Sequence, residues 1–178
     1  MQRICVFAGS SAGAKPAYLH GAARFGSELA RRGLGLVYGG GARGLMGALA
    51  DAVLEGGGDV IGVIPRSMVE REWAHPRVTK MQTVGDMHER KALMNQLADA
   101  FVALPGGIGT LEELFEVYSW AQLGFHHKRV GILEVEGFYA PLLGCLDRLV
   151  DEGFVGRQTR SLLLLETDAG RLLDALLP

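Results

Sequence analysis

The stretch DAFVALPGGIGTLEEL, residues 99–114, joins a strand signal, a glycine-rich turn and a helix start. Residues 99–104 are almost continuously apolar, as expected of a strand that is buried on both faces of a sheet. A Pro-Gly-Gly turn ends this run, and apolar residues then recur with helical spacing over 110–123. A strand, a short loop and a helix in this order are typical of a parallel sheet covered by helices.

The same unit recurs along the whole chain. Apolar runs of strand length alternate with segments of helical period, and no linker, low-complexity segment or internal repeat separates them. We therefore expect one domain spanning 1–178, with a three-layer α/β/α fold and a mainly parallel sheet of about six to seven strands. The predicted strands are 3–8, 34–38, 59–64, 78–84, 99–104, 129–135 and 161–165, and the predicted helices are 16–32, 43–56, 87–97, 110–123, 138–152 and 168–177.

The composition is typical of a globular protein, with 48% hydrophobic and 21% charged residues. A net charge of −2 gives no reason to expect a nucleic-acid partner or an anionic membrane surface. The amino-terminal residues lack a signal-peptide layout, and no apolar stretch reaches the roughly 18 residues that a membrane span needs. Cys5 and Cys145 lie in apolar surroundings and are predicted to be buried free thiols. These features favour a cytoplasmic protein without a membrane partner.

Three glycine-rich loops each follow a predicted strand and open a helix, at 9–13, 39–44 and 105–110. In parallel α/β sheets such loops lie at the carboxyl ends of the strands, so we expect them to converge on one rim. Glycines allow backbone N–H groups at a helix N-terminus to approach an anion. Ser10, Gly40 and Gly41 are therefore candidate ligand-binding residues, although tight strand-to-helix packing also explains the 39–44 loop.

The nature of the anion follows from what the loops contain. Residues 39–44 match G-x-G-x-x-G, but the acidic residue about 20 positions on, Asp59, begins a strand instead of ending one, which argues against a dinucleotide. The 105–110 loop lacks the lysine of a P-loop, which argues against triphosphate hydrolysis. A monophosphate fits better, bound by N–H donors and the Thr110 hydroxyl with help from the helix dipole.

Glu113 has two interpretations that the sequence leaves open. Thr110-Leu111-Glu112-Glu113 matches the capping box T-x-x-E, with Thr110 as N-cap and Glu113 at N3. Alternatively, helical side chains lean toward the N-terminus, so Glu113 could reach back toward whatever the glycine loop binds.

Arg90 is unusual because it occupies the apolar face of a predicted helix, in line with Met87, Met94 and Leu97. Its side chain could extend past the apolar surface to water. Otherwise it needs an anionic partner, either a carboxylate such as Glu113 or a ligand phosphate. The neighbouring Lys91 could serve the same site or be a surface charge.

The remaining polar residues give no further site. The five histidines show no metal-ligand spacing with one another or with the cysteines, so we expect no metal. Ser10 and Ser11 lack the G-x-S-x-G context of a hydrolase nucleophile. We expect no cofactor either.

Four segments together resemble the LOG (Lonely Guy) family of cytokinin riboside 5′-monophosphate phosphoribohydrolases. They are GGGARGLMG at 39–47, DMHERKA at 86–92, PGGIGTLEE at 105–113 and WAQLG at 120–124. The resemblance covers nearly the whole chain. It implies a Rossmann-like domain that dimerises and hydrolyses the N-glycosidic bond of a nucleoside 5′-monophosphate, releasing the free base and ribose 5-phosphate.

The resemblance also implies site residues. The family's essential arginine and glutamate correspond to Arg90 and Glu113. The implied substrate contacts are Glu72, Lys91, Gly106, Gly107, Ile108, Gly109, Thr110, Leu111 and Glu112.

Three other functions share features with this sequence. Many bacterial members of the family are labelled possible lysine decarboxylases, but pyridoxal chemistry needs a Schiff-base lysine near a phosphate site, and neither Lys15 nor Lys91 has that setting. A non-catalytic nucleotide-binding or carrier module would use the same glycine loops without releasing the base. A dinucleotide-dependent oxidoreductase has only the misplaced G-x-G-x-x-G in its favour.

Overall fold

The computed structural model describes residues 1–69 and 73–177. Within them seven parallel strands form one sheet in the order β4-β3-β2-β1-β5-β6-β7. The strands are β1 (Arg3–Phe7), β2 (Gly35–Tyr38), β3 (Val60–Pro65), β4 (Lys80–Val84), β5 (Ala100–Ala103), β6 (Val130–Leu133) and β7 (Leu163–Glu166). The helices are α1 (Pro16–Arg31), α2 (Gly44–Glu55), α3 (Arg66–Val69), α4 (Met87–Leu97), α5 (Ile108–Gln122), α6 (Ala140–Asp151), α7 (Arg157–Ser161) and α8 (Ala169–Leu176).

The strand order places the reversal of the sheet at β1. From β1 the chain builds outward through β2, β3 and β4 on one side, and through β5, β6 and β7 on the other. Loops that follow the two strands at such a reversal open a crevice at the carboxyl edge of the sheet. The predicted three-layer fold with a parallel sheet is confirmed, and its topology is Rossmann-like.

Both faces of the sheet are buried, which explains the continuous apolar runs of the sequence. Along β1, Ile4 and Val6 pack toward α1, α2 and α8, whereas Cys5 and Phe7 pack toward α4, α5 and α6. Alternate residues of a strand point to opposite faces, so a strand covered on both sides has no polar face.

All seven predicted strands and all six predicted helices exist, with boundaries that differ by up to two residues, but two short helices were missed. The four residues of α3 and the five of α7 are too short to show a helical repeat of apolar residues. The predicted strand at 161–165 starts too early, because α7 ends at Ser161 and β7 begins at Leu163.

The prediction for the two cysteines is only half right. Both are free thiols, and Cys5 is buried in β1, but Cys145 is exposed. Cys145 lies on α6, where Leu143 and Leu146 form the buried face, so an apolar local sequence did not place the thiol inside. No helix among the described residues is long and apolar enough to cross a bilayer.

Candidate active site

A cleft of ≈ 480 Å³ runs along the carboxyl edge of the sheet. Its walls come from the ends of β3, β2, β1 and β5, four neighbouring strands, from the segments that follow them, and from Met87 and Arg90 of α4. Neighbouring strands lie about 4.8 Å apart, so three such spacings give the cleft a length of about 14 Å. The glycine loops therefore do converge on one rim, as the sequence predicts. Of the predicted site residues, Ser10, Gly41, Arg90, Gly107, Ile108, Gly109, Thr110 and Glu113 line this cleft.

The loops after β1 and β5 touch at the reversal of the sheet. The backbone N–H of Gly9 donates a hydrogen bond of 3.1 Å to the carbonyl of Pro105. A Cβ on Gly106 would lie 2.1 Å from the hydroxyl oxygen of Thr110 and 2.9 Å from the Gly9 nitrogen. Glycine at 106 is therefore what allows the two loops and the first turn of α5 to pack together.

The capping-box interpretation of Glu113 is wrong. Helix α5 begins at Ile108, its N-cap is Gly107, and no side chain caps it. Thr110 thus lies inside the first turn, where its side chain packs against Gly106, and Glu113 lies about one turn further into the helix. The sequence pattern failed because Gly107 adopts an extended backbone that starts the helix before Thr110. The N–H groups at the start of α5 consequently border the cleft without a capping side chain from Gly107.

Glu113 is instead the partner of Arg90. The Arg90 Nη1 and Glu113 Oε1 atoms are 3.3 Å apart, and each side chain is only 10% exposed. The Arg90 Nε donates to the Val63 carbonyl at 3.1 Å, and its Nη2 donates to the Gly39 carbonyl at 3.4 Å. Arg90 therefore does not extend to water. Its guanidinium is held at the floor of the cleft by carbonyls at the ends of β3 and β2.

Gly39 makes this position of Arg90 possible. A Cβ at residue 39 would lie 1.9 Å from Nη2 of Arg90. Gly39, the first glycine of the G-x-G-x-x-G pattern, is thus needed to leave room for the Arg90 side chain, whether or not a ligand approaches the loop.

Burial raises the pKa of the Glu113 carboxyl above its ordinary value, and the charge of Arg90 acts in the opposite direction with a smaller effect. The thiol of Cys5 lies near this pair, and burial raises its pKa as well. Cys5 therefore stays neutral, whereas Glu113 binds a proton more readily than an exposed glutamate. A carboxyl group with a raised pKa in a cleft is suited to exchanging protons with a ligand.

Comparison with known proteins places the chain in a family. The family described as possible lysine decarboxylase matches residues 46–176. A cytokinin riboside 5′-monophosphate phosphoribohydrolase of Arabidopsis thaliana (LOG7) is 50% identical over 98% of this chain and 81% of its own length. The corresponding enzyme of Oryza sativa subsp. japonica (LOG) is 52% identical over 96% of this chain and 71% of its own length. The chain belongs to the LOG family.

Solved structures show how widely this fold is shared beyond LOG proteins. A molybdenum cofactor carrier protein from Chlamydomonas reinhardtii aligns with a TM-score of 0.73 and 22% identity, over 98% of this chain and 94% of that chain. A molybdenum cofactor binding protein from Rippkaea orientalis aligns with a TM-score of 0.73 and 19% identity, over the same shares. At this identity the likeness shows the fold alone.

Several residues that the LOG resemblance implies do not line the cleft. Lys91 forms ion pairs with Glu112 at 2.6 Å and Glu116 at 2.9 Å, and the hydrogen bond to Glu112 raises the pKa of Lys91. Leu111 packs against the core, and Gly106 supports the loop from behind. A contact of these residues with substrate stays a prediction.

Gly40 has a φ of +76° and packs against Ile64, behind the wall of the cleft, while its carbonyl accepts a hydrogen bond from His75. Glu72 lies outside the described residues.

The sequence did not identify one wall of this LOG cleft. Met46, Met68 and Trp73 line it together with Ile64 and Met87. Residues 66–77 have neither strand nor helical period long enough to predict their position, so only the fold brings Trp73 to the rim. Among the described residues, no group of three or more His, Cys, Asp or Glu side chains could hold a metal ion.

Proposed function

We propose that this LOG-family chain hydrolyses the N-glycosidic bond of cytokinin riboside 5′-monophosphates and AMP, releasing the free base and ribose 5-phosphate. The observation that carries the proposal is the order of chemical groups along the cleft. Glycine loops lie at the β1 and β5 end, the Arg90–Glu113 pair lies in the middle, and an apolar wall lies at the β3 end. Phosphate, ribose and base follow one another in the same order in a nucleotide.

The glycine-loop end suits the 5′-phosphate. The start of α5 presents backbone N–H groups without a capping side chain from Gly107, and Thr110 adds a hydroxyl at the wall. The helix dipole favours an anion there by about 0.3–1 kcal/mol when exposed and up to about 2 kcal/mol when partly buried. Binding the phosphate at this end fixes the ribose over the middle of the cleft.

Glu113 is the residue we propose for the chemical step. Cleavage of the bond between the anomeric carbon and the base nitrogen builds positive charge on the ribose, which an ionised carboxylate stabilises. Glu113 accepts a proton from the attacking water while the oxygen of that water forms a bond to the anomeric carbon. The bonding electron pair leaves with the base, whose nitrogen takes up a proton from solvent, and Glu113 releases the proton that it took from water.

Arg90 is proposed to orient Glu113. Two of its nitrogens are occupied by the carbonyls of Val63 and Gly39, and the third faces the carboxylate. This arrangement supports a positioning role for Arg90 over phosphate binding, because the guanidinium is committed to the protein on three sides.

The proposal is tested by incubating the purified protein with isopentenyladenosine monophosphate and with AMP and measuring free base. Release of base by the wild-type chain, and its loss by about 10²–10⁴-fold in Glu113→Gln, is the expected result. Tight binding of an unhydrolysed nucleotide would instead support the carrier-module alternative. Release of base at the wild-type rate by Glu113→Gln would remove Glu113 from the mechanism.

We also infer that the protein acts as a homodimer in the cytoplasm. The support for a dimer is a set of exposed large apolar side chains on α4, on α5 and just after α5, namely Met87, Ile108, Phe115, Leu123 and Phe125. Exposed apolar surface commonly mediates association between subunits. The free thiols of Cys5 and Cys145 support a reducing compartment.

A further inference from the structure

The apolar end of the cleft is built from a distinctive set of side chains. Three of the six methionines in the sequence, Met46, Met68 and Met87, line the cleft, and Ile64 and Trp73 complete this wall. Thioether side chains are flexible and make favourable contacts with aromatic rings. Trp73 is 41% exposed, which leaves a large part of its surface available for burial by a ligand.

Hydrogen bonds connect the backbone around Trp73 to α3 and to the glycine loop at the floor of the cleft. The Trp73 carbonyl accepts a hydrogen bond from the Ala42 N–H at 3.1 Å, and its own N–H donates to the Met68 carbonyl at 3.3 Å. The next residue, Ala74, forms an antiparallel bridge with Gly41. Trp73 thus occupies a defined place at the rim although it lies outside the helices and the main sheet.

His75 anchors the same segment from the other side. Its side chain is 3% exposed, and its Nε2 lies 3.2 Å from the Asp51 Oδ1 on α2. The Nδ1 accepts a hydrogen bond from the Arg77 N–H at 3.2 Å, so Nε2 carries the proton and donates to Asp51. The His75 N–H also donates to the Gly40 carbonyl at 2.8 Å. Because His75 is buried and hydrogen-bonded, it limits the positions available to Trp73, which lies two residues earlier in the chain.

We propose that Trp73 binds the base of the nucleotide by stacking against it. This inference rests on the proposed function, since it takes the β3 end of the cleft as the site of the base. An indole and a purine are both flat and aromatic, and stacking of a base on an aromatic side chain strengthens binding by about 5- to 150-fold. Ribose 5-phosphate lacks a base, so its binding does not depend on Trp73.

The first test measures the steady-state kinetics of Trp73→Leu and Trp73→Phe with isopentenyladenosine monophosphate and AMP. Leucine keeps an apolar side chain but removes the aromatic face, and we expect KM to rise about 10-fold or more with little change in kcat. Phenylalanine keeps a stacking face and is expected to retain most of the wild-type kcat/KM. Inhibition by ribose 5-phosphate should be the same in all three proteins.

Two outcomes of these kinetics would overturn the proposal. Equal kcat/KM values for Trp73→Leu and the wild type would mean that the base does not contact the indole. A parallel loss of ribose 5-phosphate binding would mean that Trp73 acts by supporting the fold of the cleft.

The second test does not need catalysis. The sequence has two tryptophans, so Trp120→Phe leaves Trp73 as the only indole, and adding Glu113→Gln stops turnover. Stacking predicts that AMP quenches or shifts the remaining fluorescence, whereas ribose 5-phosphate does not. Quenching without hydrolysis by the wild type would reject the proposed function and support the role of Trp73. Hydrolysis by the wild type without quenching would reject the role of Trp73 alone.

Discussion

At the scale of a single residue, burial and a neighbouring charge act in opposite directions on the pKa of Glu113. Burial disfavours its charge, and the Arg90 guanidinium at 3.3 Å favours it, with the net result that its pKa lies above the ordinary value of 4.5. Because the proposed base must be ionised, we expect kcat/KM to fall as the pH decreases. The midpoint of this fall should lie above the pKa of an ordinary glutamate. A pH–rate profile measures this acid limb.

The matched control is Glu55→Gln, which removes an exposed carboxylate at the end of α2, away from the cleft. Its acid limb should coincide with that of the wild type. An acid limb at the ordinary carboxyl pKa in the wild type would contradict a base at Glu113.

The same raised pKa predicts how stability depends on pH. Between 4.5 and its folded pKa, Glu113 holds a proton in the folded state that the unfolded state has released. The stabilisation from this proton is therefore complete below 4.5 and is lost as the pH rises through the folded pKa. Urea unfolding of the wild type and Glu113→Gln over this range should show a difference that declines as the pH rises. A difference that is constant with pH would contradict the raised pKa.

Arg90→Lys tests whether the shape of the guanidinium matters as well as its charge. A lysine has one nitrogen and cannot reach the Val63 carbonyl, the Gly39 carbonyl and Glu113 together. We expect a loss of about 1–3 kcal/mol in the free energy of unfolding, since buried carbonyls lose their donors, and a large fall in kcat. Chemical denaturation and turnover assays measure the two effects. Arg24→Lys, an exposed change on α1, is the control and should alter neither quantity.

At the scale of elements, the contact between the loops after β1 and β5 is the feature that shapes the phosphate end. Gly106→Ala would place a methyl group 2.1 Å from the Thr110 hydroxyl oxygen, so the loop or the first turn of α5 must move. We expect weaker inhibition by ribose 5-phosphate and a lower melting temperature.

Gly144→Ala is the control for the same substitution elsewhere. A Cβ there meets no atom within 4 Å inside helix α6, and alanine in a helix interior is favoured over glycine by about 0.5–1 kcal/mol. We therefore expect Gly144→Ala to raise the melting temperature. An unchanged melting temperature and unchanged ribose 5-phosphate inhibition for Gly106→Ala would show that the loop contact is dispensable.

The helices and strands were largely predictable from the sequence because the parallel sheet is covered on both faces. Most strands are near-continuous apolar runs, and the longer helices carry an apolar repeat. The exception is β4 at the edge of the sheet, which includes Lys80, Gln82 and Thr83. Helices α3 and α7 could not be predicted, since one turn of helix has no repeat to detect. The start of α5 was misjudged because the extended backbone of Gly107, and not the Thr110 side chain, begins that helix.

At the scale of the whole molecule, the exposed apolar side chains on and just after α5 predict association of two subunits. Leu123 is 61% exposed and Phe125 is 74% exposed. Replacing both with aspartate should convert the dimer into a monomer, because charges cannot be buried without partners in an apolar interface. Sedimentation equilibrium measures the molecular mass. Arg24→Glu, on the opposite layer, is the control and should leave the mass unchanged. A monomeric wild type would contradict the proposed dimer.

The sequence by itself determined the fold class, the convergence of the glycine loops and the unusual position of Arg90, since these depend on local patterns. For Arg90 the sequence left three environments open: extension of the side chain to water, a carboxylate partner or a ligand phosphate. The tertiary structure decided that Glu113 pairs with Arg90 and does not cap its helix, because the two lie on different helices that only the sheet brings together. It also decided that Trp73 reaches the cleft, because long-range hydrogen bonds hold its segment against the glycine loop and α2.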